Sequence, residues 1–180
     1  MERESVSLIP LSLIQSDVMT EMLKEASQTP TGCFVEVGVY QGGSAYFLSK
    51  IALEQGRAFY GYDTFAGVPH ATDADRHQVG EFADTSIMAV SQAIPHGIFI
   101  AGVFPLSAVP MPPIAFAHID CDQYQSVKDA LLYLAPSMGP GGILWFDDYG
   151  EIEEAKRAVD ECGVGRLEPR IGSRQIVRCA

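Results

Sequence analysis

The stretch AFAHIDCDQYQSVKDALLYL, Ala115 to Leu134, narrows the fold more than any other part of the chain, because it passes from strand patterning to helix patterning across two acids. Ala115 to Ile119 is short and almost wholly apolar, as in a strand buried on both faces. Val127, Ala130, Leu131 and Leu134 then recur at helical spacing, and Ser126 with Asp129 predicts a capping box at the start of that helix. A buried strand followed at once by an amphipathic helix is the repeating unit of a parallel α/β sheet. Asp120 and Asp122 stand at the change. If the chain stays extended to Asp122, residues two apart share a face, so both carboxylates point one way and Cys121 the other. Like charges that close disfavour each other's ionisation, and either a divalent cation or one shared proton would resolve the conflict.

The same unit recurs along the chain. Residues 1–15 read as a loose arm, and Ser16 or Asp17 can cap a helix carrying Val18, Met19, Met22, Leu23 and Ala26, which QTPTG ends. CFVEVGV, Cys33 to Val39, reads as a buried strand with an embedded acid, Glu36. A glycine turn at Gly38, Gly42 and Gly43 leads into a helix closed by Gly56, and Ala58 to Tyr62 forms a second strand ending in Asp63. Gly67 to Asp84 is polar and aperiodic, as in a mobile loop over a site. Asp84 or Thr85 then caps a helix with Ile87, Val90 and Ile94 inward. Strands follow at Ile98 to Ala101, with Gly102 at its end, at Ile114 to Asp120, and at Ile143 to Phe146, which runs into Asp147 and Asp148. A helix through Ile152, Ala155, Ala158 and Val159 precedes a tail, Val164 to Cys179, that reads as two strands turning near Gly172. The expectation is an α/β doubly wound sheet with ligands at the strands' carboxyl ends. A chain of 180 residues suits one domain over 1–180, with an N-terminal arm and helix over 1–31 and a core over 32–180.

Charge narrows the partners. A formal net charge of -11 opposes broad contact with a phosphate backbone, so no nucleic acid is expected. No apolar run approaches bilayer length, so no membrane is expected either. Cys33, Cys121, Cys162 and Cys179 show no metal-binding spacing and read as reduced thiols of a cytoplasmic protein.

The turn Gly38-Val39-Tyr40-Gln41-Gly42-Gly43 lacks the dinucleotide fingerprint, which disfavours NAD. Glu36 within the first strand and Asp63 at the end of the second suit a ribose diol, hence a nucleoside-bearing cofactor without a pyrophosphate. If the strands ending at Asp120 and Asp147 are neighbours, their carboxylates can converge on one hard cation. Magnesium is the default, with calcium and manganese open. His118, one step deeper than Asp120 on the same strand face, reads as a packed, hydrogen-bonded histidine. Tyr124 shapes the pocket or packs under its helix, and Trp145 reads as core.

The segments FVEVGVYQGG, GYDTFAGVP, HIDCDQYQSVKDAL and GPGGILWFDDYG resemble the signatures of the macrocin O-methyltransferase (TylF-like) group, class I S-adenosylmethionine-dependent enzymes that methylate sugar hydroxyls. The resemblance runs from Phe34 to the C-terminus and implies a Rossmann-like doubly wound seven-stranded methyltransferase sheet with a C-terminal antiparallel hairpin. By position it implies that Glu36, Gly38 and Gly42 line the methionine side of S-adenosylmethionine, that Asp63 holds the ribose and that Gly102 lies near the adenine. It further implies that Asp120, which also borders the cofactor, binds Mg2+ with Asp147 and Asp148, and that Asp122 is the general base. Members carry a longer helical N-terminal region that covers the acceptor and builds a homodimer, whereas about thirty residues precede the first strand here. The expected partner is a small-molecule hydroxyl acceptor, a sugar or another diol. Two other readings stand beside this one: a module that binds S-adenosylmethionine without turnover, and a metal-dependent hydrolase using the acids alone.

Overall fold

Valine-rich runs flanked by helices fold as the alternation requires. The computed structural model describes residues 10, 12–163, 167–169 and 175–179. Helix α1 (Ser16–Ser27) leads into β1 (Cys33–Val37), α2 (Gly43–Glu54), β2 (Phe59–Asp63), α3 (Ile87–Ala93), β3 (Ile98–Ala101) and β4 (Ile114–Ile119). Then come α4 (Tyr124–Leu134), a 3-10 turn (Ala135–Ser137), β5 (Met138–Phe146), α5 (Glu153–Cys162), β6 (Leu167–Pro169) and β7 (Gln175–Arg178). The strands lie in the order β3-β2-β1-β4-β5-β7-β6. The first five are parallel, while β7 runs antiparallel to β5 and β6 antiparallel to β7. Gly172 lies outside the described residues.

Both faces of the central strands are covered, which is why they read as continuous apolar runs. Val35, Val37, Ala117, Ile119, Leu144 and Phe146 pack with Leu131 of α4 and Val159 of α5 on one face. Phe34, Phe116, Ile143 and Trp145 pack with Met22 of α1 and Leu48 of α2 on the other. Burying each such side chain contributes roughly 1.5–3 kcal/mol. Strand order reverses between β1 and β4, so the turns leaving these strands diverge and open a crevice at their carboxyl ends.

Three helix starts differ from the sequence expectation. Helix α4 begins at Tyr124, which places Ser126 inside it, and Asp129 accepts a hydrogen bond from the Gln125 side chain (2.8 Å) instead of closing a capping box. At α3 the cap is Ser86, accepting from Ala89 N–H, because Asp84 and Thr85 are drawn away to Tyr40. Helix α1 starts at Ser16 without a side-chain cap, while Asp17 accepts from Val18 N–H.

Candidate active site

The carboxyl ends of β1 and β4 pack backbone against backbone. Asp120 N–H donates to Val37 carbonyl (2.9 Å), and Gly38 N–H to Tyr62 carbonyl (2.9 Å). Gly38 sits at φ 97°, and a Cβ there would lie 1.7 Å from the Asp120 carbonyl oxygen, so only glycine fits the crossing. Two residues on, Tyr40 takes a left-handed φ of 50° and donates its N–H to Asp63 Oδ2 (2.8 Å), while Asp63 Oδ1 accepts from Phe65 N–H (2.7 Å). Asp63 thus ties the turn after β1 to the turn after β2.

These turns wall a cavity of about 400 Å³, within the range that buries a small ligand. Gly38, Asp63 and Gly102 line it together with the acids Asp120, Asp122, Asp147 and Asp148 and with Cys121, which form its floor. Arg76, His77 and Phe82 of the loop between β2 and α3 border it too, the Phe82 ring meeting that of Tyr40 in the Gly38 turn at 5.5 Å between centroids. Two expected cofactor residues stand behind this surface. Glu36 is fully buried in β1, and Gly42 caps α2 against Ile94 and Val90. Tyr124 takes the second of its expected places: its ring lies under Arg157 and Lys128, away from the cavity. Trp145 is fully buried core.

Carboxylate oxygens of Asp120, Asp122 and Asp148 lie within 4.8 Å of one another. The route to that convergence corrects the expectation of a strand continuing to Asp122. Strand β4 ends at Ile119, and Asp122 adopts a left-handed φ of 60°, which folds its carboxylate back toward Asp120. Among the described residues the converging three therefore include Asp122, where the resemblance implied Asp147. Asp147 is buried, and its Oδ1 stands 4.0 Å from His118 Nε2.

Crowding acids in a buried floor shifts their titration. Burial first, then the charges of Asp122 and Asp147, push Asp148 up to about 8. Burial, with Asp147, Asp148 and Asp122, holds Asp120 well above the carboxylate range. Asp122 is also raised by burial, while its bond to Asp148 and the charge of Arg76 restrain the rise. Beneath them, His118 Nδ1 lies 2.7 Å from Glu36 Oε1, with both side chains fully buried. Burial pulls the imidazole down, but the Glu36 bond and the charges of Asp147 and Asp148 outweigh it and raise it. Three converging carboxylates, with Asp148 Oδ2 buried and without a hydrogen-bond partner, form an oxygen donor set that fits a hard divalent cation.

Sequence patterning gave no signal for Arg76, His77 and Phe82 individually, since an aperiodic loop does not announce which of its residues turn inward. Among the described residues no helix is long and apolar enough to cross a membrane.

Residues 15–165 match the family model described as Macrocin-O-methyltransferase (TylF). The chain is 30% identical to the 8-demethyl-8-(2,3-dimethoxy-alpha-L-rhamnosyl)-tetracenomycin-C 4'-O-methyltransferase of Streptomyces olivaceus, over 72% of this chain and 57% of that protein. It is also 30% identical to the mycinamicin III 3''-O-methyltransferase of Micromonospora griseorubida, over 72% of this chain and 59% of that protein. The chain thus spans less than two thirds of the length of these curated relatives. Its fold is similar to that of the O-methyltransferase NovP, with a TM-score of 0.76 at 23% identity over 90% of this chain and 78% of the other. The calicheamicin methyltransferase CalS11 follows with a TM-score of 0.75 at 19% identity, over 89% and 76%. The five parallel strands and their helices are accordingly a Rossmann-like methyltransferase fold.

Proposed function

The chain belongs to the Macrocin-O-methyltransferase (TylF) family, and from that premise we propose that it methylates a hydroxyl of a small molecule, a sugar or another diol, with S-adenosylmethionine as methyl donor. The observation that carries the proposal is the approach of Asp120, Asp122 and Asp148 within 4.8 Å on the floor of a cavity whose other wall is the Gly38 turn and Asp63. The finer fold belongs to the same proposal: one domain over 1–180, with β6 and β7 as the C-terminal hairpin of a seven-stranded sheet, supported by their antiparallel pairing.

When bound, the sulfonium cofactor would supply an electrophilic methyl group, and a divalent cation, magnesium by default, would supply Lewis acidity that makes a hydroxyl easier to deprotonate. Gly38, Asp63 and Gly102 would hold the cofactor, with Glu36 and Gly42 acting from behind the wall. Asp120, Asp122 and Asp148, with Asp147 beside them, would hold the cation. Asp122, through the carboxylate oxygen not turned to the cation, would accept the hydroxyl proton as the acceptor oxygen bonds to the methyl carbon and the carbon–sulfur bond breaks, releasing the neutral thioether S-adenosylhomocysteine. The loop bearing Arg76 and His77 narrows the mouth and orients the acceptor over that floor.

The test is calorimetric titration with S-adenosylhomocysteine, followed by transfer of labelled methyl groups to a panel of diols with Mg2+. Binding together with transfer is expected. Binding without transfer to any acceptor favours a module without turnover, and the absence of binding overturns the methyltransferase reading.

A further inference from the structure

Helix α4 carries no side-chain cap of its own, yet it starts two residues after the left-handed Asp122. Aspartate enters that conformation more readily than most non-glycine residues, but it is still held there by its surroundings. Here they reach in from another part of the chain. Asp75, in the loop between β2 and α3, is buried at 8% exposure, and its Oδ1 accepts from Tyr124 N–H, the first amide of α4 (3.2 Å). Its Oδ2 accepts from Thr72 N–H (2.7 Å) and Thr72 Oγ1 (2.8 Å), which fixes the carboxylate within the loop. A return bond comes from Gln123, whose Nε2 donates to the His77 carbonyl (3.2 Å). The loop therefore supplies the negatively charged acceptor that an α-helix start favours, and it does so immediately after Asp122.

The far end of the loop is fastened elsewhere. Tyr40 Oη donates to Asp84 Oδ1 (2.9 Å), and Gln41 Nε2 donates to the Asp84 carbonyl (3.0 Å) and carboxylate (3.2 Å). These bonds hold the turn after β1, which also lines the cavity.

We propose that Asp75 is a positioning residue that caps α4 from a distance and thereby holds Asp122 in place, and that the two ends of the loop serve different halves of the site. The inference rests on the reading that the floor acids bind a divalent cation and the Gly38 turn borders the cofactor. It assigns Asp75 to the cation side and Asp84 to the cofactor side.

The experiment titrates the full chain and its D75A, D75N and D84A variants with Mn2+, followed by electron paramagnetic resonance, and with S-adenosylhomocysteine, followed by calorimetry. Asp75→Ala is expected to weaken Mn2+ binding by about tenfold, the lower end of the loss for groups bonded directly to a metal ligand, because Asp75 acts on Asp122 through the start of α4. Affinity for S-adenosylhomocysteine is expected to be unchanged. Asp75→Asn keeps one acceptor oxygen and is expected to recover part of that loss. Asp84→Ala is expected to show the opposite split, with S-adenosylhomocysteine about fivefold weaker and Mn2+ unchanged. A merely structural loop would shift both affinities together in every variant, and that result overturns the inference. Should the unaltered chain bind neither probe, the underlying functional reading falls first and the inference with it.

Discussion

Glu36 on β1 and His118 on β4 are cross-strand neighbours in register, and their side chains meet at 2.7 Å with no solvent exposure, directly beneath the acidic floor. Asp120 continues the same strand face, its Oδ2 3.9 Å from His118 Nε2. The pair therefore links the sheet interior to the floor of the site. Removing one partner would leave the other buried without compensation. His118→Ala is expected to cost about 3–5 kcal/mol of stability, measured by urea denaturation. A loss below about 1 kcal/mol would show that the pair contributes little.

Asp122→Asn keeps the shape of the side chain but removes its capacity to accept a proton. Turnover should fall by about two to four orders of magnitude, while calorimetry shows unchanged affinity for S-adenosylhomocysteine. Activity equal to that of the unaltered chain would remove Asp122 from the proton-transfer role.

The raised titration of Asp148 makes stability depend on pH with a definite sign. Between the ordinary carboxylate pKa and about 8, the folded chain holds a proton that the unfolded chain has released. The metal-free protein is thus expected to keep this contribution in full below about pH 4 and to lose it as pH rises toward 8. The groups facing Asp148 are Asp120 and Asp122 beyond β4 and Asp147 beside it. Melting with a chelator present should decline across this window, and Asp148→Asn should make the decline shallower without abolishing it, because Asp120 and Asp122 are raised as well. Mg2+ should stabilise more at pH 8 than at pH 5, because its ligands must be deprotonated. An equal effect of Mg2+ at both values would count against the acids as its site.

Gly38→Ala places a methyl group 1.7 Å from the Asp120 carbonyl oxygen at a φ of 97°. Either β1 or β4 must shift at its carboxyl end. The expected loss is about 3 kcal/mol or more in urea denaturation, and a soluble variant should also bind S-adenosylhomocysteine more weakly. Unchanged stability and binding would show that the crossing of the two strand ends is not as tight as the backbone requires.

Much of the fold was legible because a parallel strand covered on both faces must be almost wholly apolar, and CFVEV, IAFAHI and the end of MGPGGILWF follow that rule with Glu36 and His118 as the two exceptions. The helix boundaries were less legible. Ser126 and Asp129 have the spacing of a capping box, yet α4 starts earlier because the chain has already turned at Asp122 and a remote carboxylate receives Tyr124 N–H. Local spacing cannot reveal a cap supplied from about fifty residues away.

The sequence by itself determined the alternation of strands and helices, the acids at the ends of β4 and β5, and the burial of Glu36 and His118 as polar residues inside apolar runs. These follow from local periodicity and residue chemistry. That Asp120 and Asp122 share a side was already expected from the sequence; only the tertiary structure decided that Asp148 is the third carboxylate of the cluster, while Asp147 sits beside His118. Extended geometry would have brought Asp122 to that side by alternation along the strand, which ends at Ile119. The direction of Asp122 is set instead by a left-handed turn and by the elements packed around it.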